Sequence, residues 1–187
     1  MKRWLGRLAM LACIAAASNV LAVLAAPRLI HALVTHRITT QALAASGGAQ
    51  SRTGDIAVHA PRADASARTV VRPSPDLLYT ACVFDVSRRP LHITGPVPDS
   101  YASLSGFAAN TDNFFALNDA AVTADASGRR RFDVVLARAP LAQLPPGARL
   151  VLSPTARGLV LFRTLIPDEA TLPALLALQQ QQACEPL

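Results

Sequence analysis

Residues 77–86 read LLYTACVFDV. Four apolar side chains of this segment share one parity: Leu78, Cys82, Phe84 and Val86. Thr80 is the single interruption of that series. Side chains of one parity lie on one face of a β-strand, so the alternation is typical of a strand with one buried face. The segment therefore predicts the first strand of a β-rich domain.

Short apolar runs continue beyond this strand and are separated by turn residues. Further strands are predicted over residues 91–94, 101–108, 113–117, 132–136, 150–152 and 158–166. Short strands at close intervals without intervening helices favour a mainly β fold, an antiparallel sandwich or jelly-roll-like domain. Asp168 and Glu169 then precede leucines at helical spacing, which predicts one C-terminal α-helix packed on the sheet.

The N-terminal part of the chain has the pattern of a membrane anchor. Leu8 to Ala26 is a segment of 19 residues without a charged side chain. A helix of that length spans about 28 Å, close to the roughly 30 Å of a bilayer core. Beyond Pro27 the apolar residues keep helical spacing, which favours a retained transmembrane helix over a cleaved signal peptide, the alternative.

Three regions are therefore expected along the chain. Residues 1–45 form the anchor helix and its extension, and residues 76–187 form the β-rich domain. Residues 46–75 are rich in Ala, Gly, Ser, Arg and Pro and are interpreted as a linker with one short strand at Ile56–His59.

The distribution of charge argues against a nucleic-acid partner and predicts the orientation of the chain in the membrane. The net charge of +6 arises in the first 75 residues, which hold nine basic and two acidic side chains. A nucleic-acid-binding domain carries positive charge on its fold, so no nucleic-acid partner is expected. Lys2, Arg3 and Arg7 precede the apolar segment and predict a cytoplasmic N-terminus. We expect a single-pass bacterial inner-membrane protein with a periplasmic domain, and the lipid bilayer is its first partner.

The cysteines fit that compartment. Cys13 lies in the apolar segment, whereas Cys82 and Cys184 lie in the predicted domain and have no metal-site spacing. Two such cysteines in an exported domain predict a Cys82–Cys184 disulfide, and two free buried thiols are the alternative.

The sequence has no motif that indicates catalysis. A phosphate-binding loop, a dinucleotide-binding turn and a nucleophile elbow are missing, and the four histidines do not suggest a metal site. We therefore expect no cofactor. The residues best suited to line a pocket for a small polar or sugar-like ligand are Tyr79, Tyr101, Asn113, Asn118 and Asp119. The alternative is that the Asn and Asp side chains cap tight turns.

Several segments resemble the bacterial "domain of unknown function 1254" family. They are residues 74–87 (SPDLLYTACVFDVS), 90–94 (PLHIT), 101–105 (YASLS), 113–119 (NFFALND) and 157–163 (RGLVLFR). The resemblance covers residues 74–187 and is greatest to the short, membrane-anchored members found in proteobacteria. It implies a possible partner, a second small membrane protein of the "domain of unknown function 1214" family. It implies no catalytic residues.

Three functions remain open from the sequence. The first is a non-enzymatic cell-envelope protein whose β domain meets a protein partner. The second is a binding module for a small polar or glycan ligand, and the third is an enzyme of unfamiliar type.

Overall fold

The chain folds into a mainly β domain with a long apolar helix at its N-terminus, as predicted. A computed structural model describes residues 2–45, 56–64 and 73–187. The helices are α1 (Lys2–Ala45) and α2 (Leu172–Gln179). The strands are β1 (Ile56–His59), β2 (Leu77–Asp85), β3 (Leu91–Pro96), β4 (Ala102–Ala108), β5 (Asn113–Asn118), β6 (Arg131–Ala137), β7 (Arg149–Leu152), β8 (Arg157–Leu165) and β9 (Ala183–Pro186).

Two sheets form the domain. The first sheet has the strand order β1-β2-β8-β4-β5, and all of its neighbouring strands are antiparallel. The second sheet has the order β7-β6-β3-β9, and β6 and β7 run parallel within it. A parallel neighbour requires a crossover rather than a hairpin, a difference that strand periodicity does not reveal.

The predicted linker region contains an ordered strand. β1 pairs with β2 at the edge of the first sheet, so the strand expected at Ile56–His59 is present. Residues 46–55 and 65–72 of the predicted linker lie outside the described residues.

The core lies between the inner faces of the two sheets. In β2 the buried positions alternate as the sequence predicts, and Leu78, Cys82 and Phe84 all point inward. Phe162 of the first sheet meets Phe132 of the second edge to face, with ring centroids 6.2 Å apart. Such aromatic pairs prefer this geometry and stabilise the contact beyond the burial of their surface. The period of two in the strands therefore produces a sandwich with one shared core.

A glycine in β3 permits the close approach of the sheets. A Cβ atom at Gly95 would lie 2.9 Å from Cε1 of Phe162 across the interface. That distance is shorter than an ordinary van der Waals contact, so only a hydrogen fits there without moving the ring.

The last strand was not expected from the sequence, which placed Cys184 beyond a helix. β9 pairs with β3 and sets Cys184 opposite Ile93. Four residues that include Glu185 and Pro186 are too few to display a strand period, and their pairing depends on the free edge of β3. The structure contains the predicted Cys82–Cys184 disulfide, with Cα atoms 6.4 Å apart, and this bond joins the two sheets.

The C-terminal helix packs on the first sheet, as predicted. Leu175 is buried against Leu78 and Ile166, and Leu172 and Leu178 pack beside it. A buried polar side chain, Gln179, follows this apolar stripe. Its amide nitrogen donates to the carbonyl oxygens of Ala60 and Tyr79, at 3.1 and 2.9 Å.

We expect the disulfide to dominate the stability of the domain. It closes a loop of 102 residues, for which the chain-entropy model gives up to about 4.7 kcal/mol. Cys82→Ser and Cys184→Ser should each lower the unfolding temperature by a similar amount, and the double variant should lose little more than either. Thermal unfolding measures this, with Cys13→Ser as the control because Cys13 is free and exposed. Additive losses in the double variant would contradict the bridge.

Candidate functional site

The face of the first sheet that points away from the core, its outer face, carries the candidate site. Tyr79 is in register with Arg163, Arg163 with Ser103, and Ser103 with Asn118. Directly paired residues of antiparallel strands point to the same face. These four side chains, here named the polar row, therefore cross four neighbouring strands in one line.

Three members of the polar row offer hydrogen-bond donors. Ser103 is only 4% exposed, and its Oγ has no hydrogen-bond partner. Among the described residues, the side chain of Arg163 forms no ion pair or hydrogen bond. Asn118 accepts a bond from the backbone nitrogen of Ala121 at 3.2 Å, which leaves its amide nitrogen able to donate. A hydroxyl, a guanidinium and an amide in one line suit an oxyanion or another acceptor-rich group.

The structure brings most of the predicted pocket residues to one end of the first sheet. Tyr79 and Asn118 belong to the polar row, and Asp119 and Tyr101 lie at the same end. Tyr101 is 46% exposed, and the Asp119 carboxylate accepts a long 3.4 Å bond from the backbone of Ala102. Asn113 lies at the other end of β5, five residues from Asn118 and so about 17 Å away.

The predicted capping role is also visible in these side chains. Asn118 caps the short 3-10 turn Asp119–Ala121 through its side-chain oxygen. In the β4–β5 hairpin the backbone nitrogen of Asp112 donates to Asn110 Oδ1 at 3.4 Å. The Tyr79 hydroxyl accepts a bond from the backbone of Ser74 at 3.0 Å. Local bonds therefore hold several pocket candidates in place and leave Arg163 and Ser103 as the uncommitted polar groups.

Sequence reasoning did not find Arg163 and Ser103. Arg163 is a charged residue inside a mostly apolar strand, and Ser103 alternates with apolar residues in its own strand, but neither pattern shows which side chains lie beside them. Only the register of β8 and β4 sets the two side chains between Tyr79 and Asn118.

The opposite end of the outer face contacts the second half of α1. There the two elements flank an open groove of about 520 Å³, here named the helix groove. It is lined by Arg28, His31, Ala32, Thr35, His36 and Thr39 of the helix, and by Val83, Phe84, Asp85, Ala109, Arg157 and Gly158 of the domain. The sequence assigned the two helix histidines to the anchor and suggested no site for them. The recurrence of His31, Thr35 and Thr39 at intervals of four is the one local signal of a packed face.

An ion pair closes the domain side of the helix groove. Nε of Arg157 donates to Oδ2 of Asp85 at 2.9 Å, and the two residues are in register across β8 and β2. Hydrogen bonds from Ser87, and then the Arg157 guanidinium, hold the pKa of the Asp85 carboxyl below its usual value. Asp85 therefore stays ionised and keeps Arg157 oriented along the groove.

His59 of β1 lies at the edge of the first sheet, and the fold shifts its pKa. Its Nδ1 lies 3.0 Å from Oγ1 of Thr80, which is 1% exposed. Burial lowers the pKa of His59 below 6.5, because a partly enclosed imidazole loses the hydration of its charged form.

The described residues show no metal centre. Within residues 2–45, 56–64 and 73–187, no group of three or more His, Cys, Asp or Glu side chains could hold a metal ion. His92 Nε2 lies 2.7 Å from Asp133 Oδ1 on the outer face of the second sheet, away from the polar row.

A family model described as "Protein of unknown function (DUF1254)" matches residues 54–186. The chain belongs to the DUF1254 family. This match confirms the resemblance seen in residues 74–187. It begins just before β1 and ends in β9, so the DUF1254 region of this chain includes both sheets and both disulfide cysteines.

Two solved structures share the fold of this DUF1254 chain. The crystal structure of the VPA0106 protein from Vibrio parahaemolyticus aligns with a TM-score of 0.54 and 13% identity, covering 88% of this chain and 38% of that one. The crystal structure of a putative uncharacterized protein from Burkholderia cenocepacia aligns with a TM-score of 0.52 and 16% identity, covering 82% of this chain and 40% of that one. This chain thus spans about two fifths of each structure. A search of curated proteins gave no match.

The lowered pKa of His59 predicts a pH dependence of stability. Between pH 6.5 and the lower pKa of the folded state, the unfolded chain binds more protons at this residue, so stability falls as the pH falls. His59→Gln removes the titrating group and should reduce the slope of unfolding temperature against pH from about pH 7 to 5. His36→Gln, at an exposed position of α1, is the control. An unchanged slope in His59→Gln would refute the assignment.

Proposed function

We propose that this DUF1254 protein is a single-pass inner-membrane protein whose β domain lies in the periplasm and binds a protein partner without catalysing a reaction. The observation that supports this most is the surface of α1. Within Arg3–Thr40, an 18-residue stretch apolar enough to cross a membrane has a mean hydropathy of 2.3, and none of that stretch is buried. Trp4 and Leu21 are each 69% exposed. An uncovered apolar surface of this length is stable in a bilayer and costly in water.

Two observations support the periplasmic side. Lys2, Arg3 and Arg7 precede the apolar segment, and positive residues are retained in the cytoplasm. The Cys82–Cys184 disulfide suits an oxidising compartment, because cytosolic thiols are kept reduced.

A small membrane protein of the "domain of unknown function 1214" family is the proposed partner. α1 has a stripe of small side chains, formed by Ala9, Cys13, Ala16 and Ala17, and all four are exposed. Small residues at this spacing let a second helix approach closely within the bilayer. The proposed contact therefore uses the span itself as well as the periplasmic domain.

The topology is testable with reporters at both ends. A protein that fluoresces only in the cytoplasm should be dark when fused after Leu187 and bright when fused before Met1. The physical reason is the positive charge before the span, which opposes its translocation. A bright C-terminal fusion would reverse the orientation. A mature N-terminus near Ala26 would instead establish a cleaved signal peptide and remove the anchor.

The partner contact is testable by photocrosslinking from position 13. A photoreactive amino acid incorporated in place of Cys13, in membranes that co-express a "domain of unknown function 1214" protein, should capture that protein. The matched control carries the same photoreactive amino acid in place of Ala15, because two residues turn a helix by about 200°. Strong capture from position 13 and weak capture from position 15 are expected. Equal capture from both faces, or none, would contradict the proposed contact.

A small-anion binding module is the second candidate function. It is favoured by the buried, unpartnered hydroxyl of Ser103 beside the unpaired Arg163. A buried hydroxyl without a partner costs about 1–3 kcal/mol, and such groups are often functional. Under this alternative a small carboxylate or inorganic phosphate raises the unfolding temperature of the wild-type protein and not that of Arg163→Gln. If the domain instead binds only a protein, these anions should leave the unfolding temperatures of the wild type and of Arg163→Gln unchanged.

A further inference from the structure

The helix groove lies at the boundary between the proposed span and the folded domain. The uncharged segment of α1 ends at Ala26, and Arg28 and His31 are the first polar side chains of the groove beyond it. At 1.5 Å per residue His31 lies about 8 Å past Ala26. The headgroup layer extends roughly 5–8 Å beyond the hydrocarbon core on each side. If α1 spans the bilayer as proposed above, this end of the groove lies at headgroup depth.

The groove contains donors that the protein does not use. Arg28 donates one bond, from Nη1 to the carbonyl oxygen of Leu24 at 2.6 Å. Arg157 uses Nε for Asp85, and its terminal nitrogens have no partner among the described residues. His31 Nε2 is buried and also lacks a hydrogen-bond partner. Two guanidinium groups and an imidazole nitrogen suit the oxygens of a phosphate diester, which Arg can bind through paired donors.

The domain side of the groove includes the outward-facing apolar side chain of Val83. Phe84 and Gly158 also line it, but their positions in β2 and β8 have the inward parity. Thr35 and Thr39 bond their hydroxyls back to the carbonyl oxygens of His31 and Thr35, at 2.9 and 2.8 Å. These bonds satisfy the two threonine hydroxyls and leave His31 Nε2 as the unpartnered buried polar atom of this part of the helix.

We propose that the helix groove binds the headgroup of an anionic phospholipid drawn from the leaflet around α1. The two arginines and His31 receive the phosphate, and Ala32 and Val83 line the space beside it. The volume of about 520 Å³ is within the range of small-molecule sites. The inference rests on the proposed membrane anchor and adds a lipid ligand that holds the domain at the membrane surface.

Native mass spectrometry of the full-length protein in detergent tests the site. Phosphatidylglycerol should bind more tightly than zwitterionic phosphatidylcholine. Arg28→Gln and Arg157→Gln should each weaken phosphatidylglycerol binding about fivefold, the effect typical of one basic residue near an anionic surface. The matched control is Arg149→Gln on β7, which removes the same charge from an exposed position of the second sheet. Unchanged binding in both groove variants, or equal loss in the control, would overturn the site.

Two further measurements and the choice of deciding variant keep the outcome unambiguous. Excess inorganic phosphate should leave the lipid bound, and its displacement by phosphate would assign the groove to a free anion and overturn the proposal. If Arg157→Gln fails to fold, Arg28→Gln decides, because Arg28 bonds only to its own helix among the described residues. Carbonate washing of membranes separates the two proposals. If the protein stays in the washed membrane but the variants bind lipid as well as the wild type does, the lipid site alone is refuted. If washing releases the protein from the membrane, the anchor and the lipid site are refuted together.

Discussion

The joint between the two sheets, fixed by the Cys82–Cys184 disulfide, is the constraint on which the remaining structure depends. Cys184 must stay beside β2, so the short strand β9 is kept on the edge of β3. The helix that precedes β9 is then held over the end of the first sheet, where Gln179 donates to the carbonyl oxygens of Ala60, the residue after β1, and of Tyr79 in β2. One covalent link therefore positions an edge strand of each sheet, and its loss should loosen the ends of the domain before its centre.

The inner faces also determine the chemistry of the outer face. Because strand side chains alternate, burying Cys82 and Phe84 forces Tyr79 and Asp85 outward. These two residues are six positions apart, about 20 Å along β2, and each begins a different polar group. One end carries the polar row with Arg163 and Ser103, and the other carries the Asp85–Arg157 pair beneath α1. A slip of one residue in register would remove both groups from the surface.

The sequence predicted those features that depend on local period and missed those that depend on pairing. The alternation in β2, the long apolar helix and the leucine stripe of α2 were visible in neighbouring residues. The Cys82–Cys184 bond is the one distant pairing that the sequence predicted, because only two cysteines remain outside the apolar segment. β9, the parallel β6–β7 pair and the helix groove were not predicted, because each is created by an element distant in the chain. The candidate site divides in the same way. Tyr79 and Asn118 stood out as polar side chains near turns, whereas Ser103 and Arg163 became candidates only through register.

α1 has two environments that meet at Pro27. The side chains of residues 3–24 are exposed, whereas His31 is half-buried and Ile38 is buried. A proline inside a helix removes one backbone hydrogen bond and leaves the carbonyl of residue 23 without its usual donor. In the proposed topology this unpaired carbonyl lies close to the headgroup layer, where water and Arg28 can solvate it. The helix can therefore bend at this point, so the span follows the bilayer while the docked segment follows the first sheet. Such a joint lets the membrane tilt the span without opening the helix groove.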